Sequence, residues 1–457
     1  MKIDFIFQKL IRAAVFSLVL MLMSTCFNPV RAEAQEFGSR LQAGLAKTDI
    51  TPSESLYMGG YALRENPSDG VFGKLFIRTL VFDDGQKQLA IVESDIIDYP
   101  DSESLRNLIA TETGIPVDHI LLGSVHNHSA PVLGGRNEDS KWDGAFAGKL
   151  VETVRAAIKD LEPVRIASGS GYSRIGLNRR KVVEGSISQK TFDENYFSQF
   201  YGEHQTDSPV EIVEPGGVIR LGANPEGPID DEVGVMRIDS MDGTPKGIFV
   251  SYACHGTSLG GRNDSVSPEW MGHMLERVEE KLPGVTGIFA QGACGDINPR
   301  FVGGLEGYED NLENTAALGY EISREVVRVF EGCLTAEAID PTIRLVHKDI
   351  LCPRHYRELS KNFRNTTVTV PTTAVRIDNF TLVSFPGELF HEIGLRIKAA
   401  APTGSACVIG YCNGHLGYLP TQKAFSEGGY EPAGSQFAPV SEQVYVEEVK
   451  KMLIELY

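Results

Sequence analysis

Strand-length apolar runs alternate with amphipathic stretches of helical period along most of this chain, and that alternation restricts the fold more than any other feature. Strands are expected at Phe76–Phe82, Leu89–Glu93, His119–Gly123, Gly247–Ala253, Gly287–Ala290, Thr381–Phe385 and Cys407–Gly410. Helices are expected at Ser102–Glu112, Gly148–Leu161, Pro268–Leu282, Glu313–Phe330, Phe390–Ala400 and Ser441–Leu456. The helix after Ser267 is signposted at both ends, with Ser267 as its cap, Pro268 in the first turn and Pro283-Gly284 closing it. The interleaving implies the α/β class, a mixed β-sheet core flanked by helices. Residues 178–230 break the rhythm: they are rich in Gly, Pro and polar residues, with Tyr196, Phe197, Phe200 and Tyr201 interleaved. A stretch of that kind reads as a long loop or a lid whose aromatics contact an apolar ligand.

At the N-terminus, Lys2, Lys9 and Arg12 flank the apolar run Ala13–Met23, and Ala32-Glu33-Ala34 offers a small-x-small cleavage site. This is the layout of a secretory signal peptide over residues 1–34, too short in its apolar part for a spanning helix of about 20 residues. The expected product is an exported protein, periplasmic or secreted, with no transmembrane segment after cleavage. Cys26 offers a weaker lipidation site, because Thr25 before it is large. The other six cysteines, Cys254, Cys294, Cys333, Cys352, Cys407 and Cys412, match no zinc-cluster spacing and leave their pairing undecided. The net charge of −18 argues against a nucleic-acid partner, which needs a basic face.

Reactive side chains recur just after the strand-like runs. His126 and His128 follow Ile120-Leu121-Leu122, His255 follows Ile248-Phe249-Val250, and Asp296 follows Ile288-Phe289-Ala290. Glu388 follows Leu382-Val383-Ser384-Phe385, and His415 and Tyr418 follow Cys407-Val408-Ile409. Ligands of open α/β sheets bind outside the carboxyl ends of the strands, so a composite metal site at those ends is expected. In an extended segment residues two apart share a side, which would aim His126 and His128 at one ion. Imidazole with carboxylate oxygen and no clustered thiolate suits zinc. Two patterns compete. Gly256-Thr257-Ser258-Leu259-Gly260 fits the G-x-S-x-G of serine hydrolases, but a nucleophile elbow requires a helix directly after the serine, and Gly260-Gly261-Arg262-Asn263-Asp264 follows. His391-Glu392 opens like a zinc-protease helix, but Leu395 stands where the second histidine belongs.

Taken together, several segments resemble the amidase domain of the neutral (non-lysosomal) ceramidase family. They are Gly44-Leu-Ala-Lys-Thr-Asp-Ile-Thr-Pro52, Met58-Gly-Gly-Tyr-Ala62, Ser124-Val-His-Asn-His-Ser-Ala-Pro131 and Ser251-Tyr-Ala-Cys-His-Gly-Thr-Ser258. Ala290-Gln-Gly-Ala-Cys-Gly-Asp-Ile-Asn-Pro299, Phe385-Pro-Gly-Glu-Leu389 and Gly410-Tyr-Cys-Asn-Gly-His-Leu-Gly-Tyr418 complete the set. The resemblance implies one amidase domain over residues 35–457, holding one zinc ion per chain through His126, His255, Glu388 and Tyr418. It implies supporting roles for His128, Arg179 and Tyr430, with Asp296 also among the catalytic groups. The implied reaction is water-based hydrolysis of the amide of ceramide or a related N-acyl, lipid-like molecule, with peripheral contact to lipid. Asn298 stands where the family's ceramidases carry a catalytic serine, and the family's C-terminal immunoglobulin-like domain has no counterpart in this sequence. The competing readings are a serine hydrolase using Ser258 and a non-catalytic exported binding protein on the same fold.

Overall fold

A computed structural model of the protein describes residues 40–61, 64–183, 218–302, 312–355, 366–402 and 404–457. Residues 1–34, expected to be a signal peptide, and the aromatics Tyr196, Phe197, Phe200 and Tyr201 lie outside the described residues.

Two sheets form the centre. The larger has eight strands in the order Thr286–Gln291, Pro245–Tyr252, Glu232–Ser240, Glu162–Tyr172, Gln42–Asp49, Phe76–Asp83, Gln88–Ser94, Ile120–Ser124. It is mixed: the pairs at its two ends are parallel and those between are antiparallel. The smaller has four strands, Ile343–Pro353, Thr367–Ile377, Phe380–Ser384 and Ser405–Ile409, the last two parallel.

The period-2 alternation of side chains across a strand explains how the sheets are layered. Leu80 and Phe82, Leu89 and Ile91, and Leu121 face one core, shared with Ile343, Val375, Phe380 and Ile409 of the smaller sheet. Their neighbours Ile77 and Val81, Ala90 and Val92, and Ile120 and Leu122 face a second core, which includes Ile109, Trp142, Phe146, Leu150 and Val154 from the helices Ser102–Thr113 and Lys141–Lys159. The helices Glu269–Lys281 and Leu312–Gly332 cover another part of the large sheet. On the outer face of the small sheet lie His391–Ala400 and Ser441–Glu455. The order is therefore helix, sheet, sheet, helix, and Phe249 meets Phe380 edge to face across the middle, ring centres 5.7 Å apart.

Three expectations change in detail. The helix expected from Gly148 begins at Lys141, capped by Ser140, whose hydroxyl accepts the Asp143 N–H at 3.1 Å. Its buried stripe runs Trp142, Phe146, Leu150, Val154, while Gly144 and Gly148 hide the first two turns from a propensity reading. At the helix Glu269–Lys281 the cap position is Pro268, and Ser267 Oγ accepts the Glu269 N–H from one residue further out. The stretch 178–230 is not loop throughout: Gly176–Val183 and Val218–Asn224 pair as antiparallel strands. Among the described residues, no helix is long and apolar enough to cross a membrane. The six described cysteines are all buried free thiols.

The sheet-to-sheet core sets the stability. Phe249→Ala should lower the unfolding free energy by about 3–5 kcal/mol in urea titration, whereas Ile454→Ala at an exposed helix position should change it by about 0.5 kcal/mol or less.

Candidate metal centre

The parallel strand pairs of both sheets send their C-terminal ends toward one place, and backbone bonds lock the loops that follow. Cys412 bridges Gly123, Asn127 bridges Gly256, and Glu388 pairs with Tyr418 in a short parallel ladder. Asn413 closes on the end of Ile120–Ser124, its N–H donating to Leu122 O and its side-chain oxygen accepting from Leu122 N, both at 2.8 Å. Gln291 ties two loops together by donating to Val125 O at 3.1 Å and Cys254 O at 2.8 Å, and it accepts the Cys254 N–H. Buried Glu269 holds two more, accepting from Ser129 Oγ at 3.0 Å, Ser258 N at 2.9 Å and Leu259 N at 3.2 Å.

These loops bring His126, His128 and His255 together, with one ring nitrogen of each within 4.8 Å of the others. The convergence does not come from an extended segment. His126 has φ +57°, in the left-handed region, and that turn aims its ring. The His126 and His128 rings meet edge to face at 4.5 Å with their Nε2 atoms 2.9 Å apart, and Tyr411 stacks on His126 at 3.7 Å.

Hydrogen bonding fixes the tautomers. His126 Nδ1 lies 3.1 Å from Ile97 O and His255 Nδ1 lies 2.9 Å from Ile297 O. A carbonyl only accepts, so both Nδ1 atoms carry a proton and both Nε2 atoms face the cluster. Arg179 Nη1 lies 3.0 Å from His255 Nε2 and 3.5 Å from its Nδ1, over the ring. Glu388 Oε2 sits 2.9 Å from the same Nε2, with His255 1% and Glu388 5% exposed. Imidazole nitrogens beside a carboxylate oxygen form a donor set that fits a metal ion.

The electrostatics agree. Burial, and then the neighbouring imidazoles, push His126 well below the ordinary histidine range, and burial does the same to His128. Burial alone would raise the Glu388 carboxyl, but its hydrogen bond with His255 and the charges of His255 and Arg179 outweigh this and hold it at about 2. Burial and the Glu388 charge push the Tyr418 phenol up, so as a ligand it would need a cation beside it.

The remaining expected residues fall around this cluster. The Arg179 guanidinium lies over the Tyr418 ring at 5.4 Å, its Nε donates to Glu431 at 2.9 Å and Nη1 to Asn298 Oδ1 at 3.3 Å; its buried Nη2 has no hydrogen-bond partner. Tyr430 meets Tyr418 edge to face at 5.6 Å. Asp296 turns away from the histidines: its carboxylate accepts from His391 Nδ1 at 2.7 Å and His391 N at 2.9 Å, while its carbonyl accepts the Arg179 N–H. His415 pairs with Asp98 at 3.3 Å. The Ser258 hydroxyl is spent on Glu269.

Four contributors carry no catalytic signature in sequence. Tyr411 and Gln291 read as an aromatic and an amide after apolar strands. Arg64 donates to the carbonyls of Gly59 and His128, each at 2.9 Å. Gly60, at φ +91°, packs so closely that a Cβ there would overlap the His128 ring. The Gly-Gly of Met58–Tyr61 was the one available cue.

Residues 41–317 match the family model described as neutral/alkaline non-lysosomal ceramidase, N-terminal, a span that includes His126, His128, Arg179, His255 and Asp296. Two proteins named neutral ceramidase, from Drosophila pseudoobscura pseudoobscura and Drosophila melanogaster, are each 23% identical over 283 and 278 residues. Each alignment covers 57% of this chain and 36% of the relative, so the chain spans well under two thirds of those proteins. The crystal structure of neutral ceramidase from Pseudomonas aeruginosa superposes with a TM-score of 0.70 at 19% identity, covering 91% of this chain and 74% of that one. A ceramidase complexed with C2 gives 0.71 at 18%, covering 91% and 75%. At these identities the solved structures establish the fold.

The Asp296–His391 pair makes a pH prediction. Burial works against both charges, but each partner outweighs it, lowering Asp296 and raising His391. Asp296 contributes stability above its unfolded value of about 3.9, and His391 contributes below its unfolded value of about 6.5, so the pair is at full strength between these. His391→Gln should cost about 3 kcal/mol near pH 6, and the gap should narrow as pH rises through the raised His391 value. Denaturant titrations showing a constant gap from about pH 5 to about pH 9 would exclude a protonated His391.

Proposed function

The chain belongs to the neutral/alkaline non-lysosomal ceramidase family, and from that membership we propose that it hydrolyses the amide bond of ceramide or a related N-acyl, lipid-like substrate. The observation that carries the reading is the convergence of His126, His128 and His255 with Glu388, whose Oε2 lies 2.9 Å from His255 Nε2, a donor set that suits a metal ion. We assign one zinc ion to His126, His255, Glu388 and Tyr418. When bound, such an ion polarises a carbonyl and makes water a nucleophile near neutral pH.

The chain's own groups supply the rest. Ionised Glu388 would supply such an ion with a negative charge, and His126, which burial keeps from taking up a second proton, with a nitrogen lone pair. Arg179 Nη2 offers a buried, unpartnered donor to the oxygen that becomes negative as the carbonyl is attacked. To His128 and Tyr430 we assign the passing of a proton to the leaving amine. Asn298 is no nucleophile; its Oδ1 steadies Arg179 Nη1, so the attacking oxygen comes from water. Asp296 acts as a positioning residue, holding the Arg179 backbone and His391. We extend the reading to export after cleavage near Ala34, to a single amidase domain over 35–457, and to peripheral contact with lipid during substrate uptake.

The test is metal analysis together with hydrolysis of ceramide and simpler N-acyl amines. One zinc per chain is expected, with activity lost in chelator and restored by zinc. Glu388→Gln and His255→Gln should lose the metal, while Arg179→Ala should keep it and lower kcat by about 10²–10³-fold. Activity that persists in chelator but disappears with Ser258→Ala would overturn the proposal.

A further inference from the structure

A cavity of about 240 Å³ opens beside the candidate metal centre. Its wall includes Gly60 and Tyr61, and both touch His128: Gly60 packs against the ring, and Tyr61 meets it edge to face at 5.0 Å. The rest of the lining is distinctive for a chain with a net charge of −18. Two guanidinium groups, Arg64 and Arg136, face the space, and no acidic side chain is among the described residues that line it. Both cations are seated on aromatic rings. The Arg136 guanidinium lies 3.6 Å from the centre of the Tyr57 ring, and that of Arg64 lies 5.1 Å from Tyr61.

Ring stacking sets the plane of the Arg136 guanidinium. Arg64 is buried and spends donors on the carbonyls of Gly59, His128 and Gly260, which fixes its charge at the floor of the cavity. Arg136 is exposed, and its two bonds to the carbonyls of Glu65 and Arg64 are long, 3.4 Å each. An arriving acceptor of better geometry can replace such bonds. A neutral polyol gains little from two cations, whereas a carboxylate gains a charge-assisted bond to Arg136 and the attraction of the fixed Arg64 charge.

We propose that this cavity is a subsite for a carboxylate on the amine portion of the substrate, so that N-acylated amino acids are the preferred substrate class. The proposal rests on the amidase reading above. The acyl chain has no use for guanidinium groups, which places the anion on the amine side. Water adds across the amide C–N bond, giving a fatty acid and a free amino acid whose carboxylate is unchanged.

The test compares N-lauroylglycine with its neutral match, N-lauroylethanolamine, on the full enzyme, and measures N-lauroylglycine binding separately by calorimetry. The glycine conjugate should show the higher kcat/KM, with the advantage residing in KM and shrinking as salt rises. Arg136→Gln should weaken calorimetric binding and reduce the anionic-over-neutral preference, each by about tenfold, and Arg136→Lys should restore part of both. Equal kcat/KM for the two substrates, or a preference untouched by Arg136→Gln, overturns the subsite and leaves the amidase standing. Arg136-dependent binding without hydrolysis of either substrate leaves the subsite standing and overturns the amidase.

Discussion

The buried contact between His255 Nε2 and Glu388 Oε2 at 2.9 Å organises much of the molecule around it. Backbone and side-chain bonds hold both groups in place. Ile297 O fixes the His255 ring from behind, Trp270 Nε1 donates to the His255 carbonyl at 2.8 Å, and Glu388 is held in a ladder with Tyr418. Burying a carboxylate such as that of Glu388 in a dry interior costs several kcal/mol unless a positive charge compensates. The two sheets make this tolerable because the loops from both leave rigid, parallel strand ends. His126 tells the same story in its backbone, since a non-glycine residue at positive φ persists only where its surroundings determine it.

Around the cluster lies a second layer of buried charge. Glu431 accepts from Arg179 Nε at 2.9 Å and from Arg180 Nη1 at 2.8 Å, so one carboxylate anchors two adjacent guanidinium groups. Asp296 and His391 form another buried pair, joined to the first through the Arg179 backbone. Pairs of this kind contribute little net stability, since desolvation offsets their attraction, but removing one partner is costly. Their role here is orientation: Arg179 has its Nε and Nη1 occupied and its Nη2 left over.

How much of this was legible in the sequence depended on what signal each residue carried. The strands Phe76–Asp83, Gln88–Ser94 and Pro245–Tyr252 announce themselves because both their faces are buried. Glu162–Tyr172 does not, since its Gly and Ser residues carry no apolar pattern and it is placed by pairing on both sides. The second sheet was visible only as the runs near 381 and 407, because Thr367–Ile377 alternates Thr with Val and reads as polar. The histidine pair was legible as a pair, but the left-handed turn that aims it was not, because sequence spacing reports separation and not dihedral angle. Asp296 was legible as a titratable group after a strand, and its partner His391 was visible only as the start of an incomplete zinc-protease pattern. The family resemblance named Tyr418 where the residues alone left His415 equally open, and His415 sits with Asp98.

The six described cysteines sit in the core as unoxidised thiols, and this has a consequence for how the chain is made. Burial pushes the Cys254, Cys294 and Cys412 thiols well above their ordinary range, so the native protein presents almost no thiolate to an oxidant. The unfolded chain has no such protection. In an oxidising medium its yield is therefore a race between core closure and mispairing, decided before the histidine cluster assembles, and a reductant during refolding should matter far more than one added afterwards.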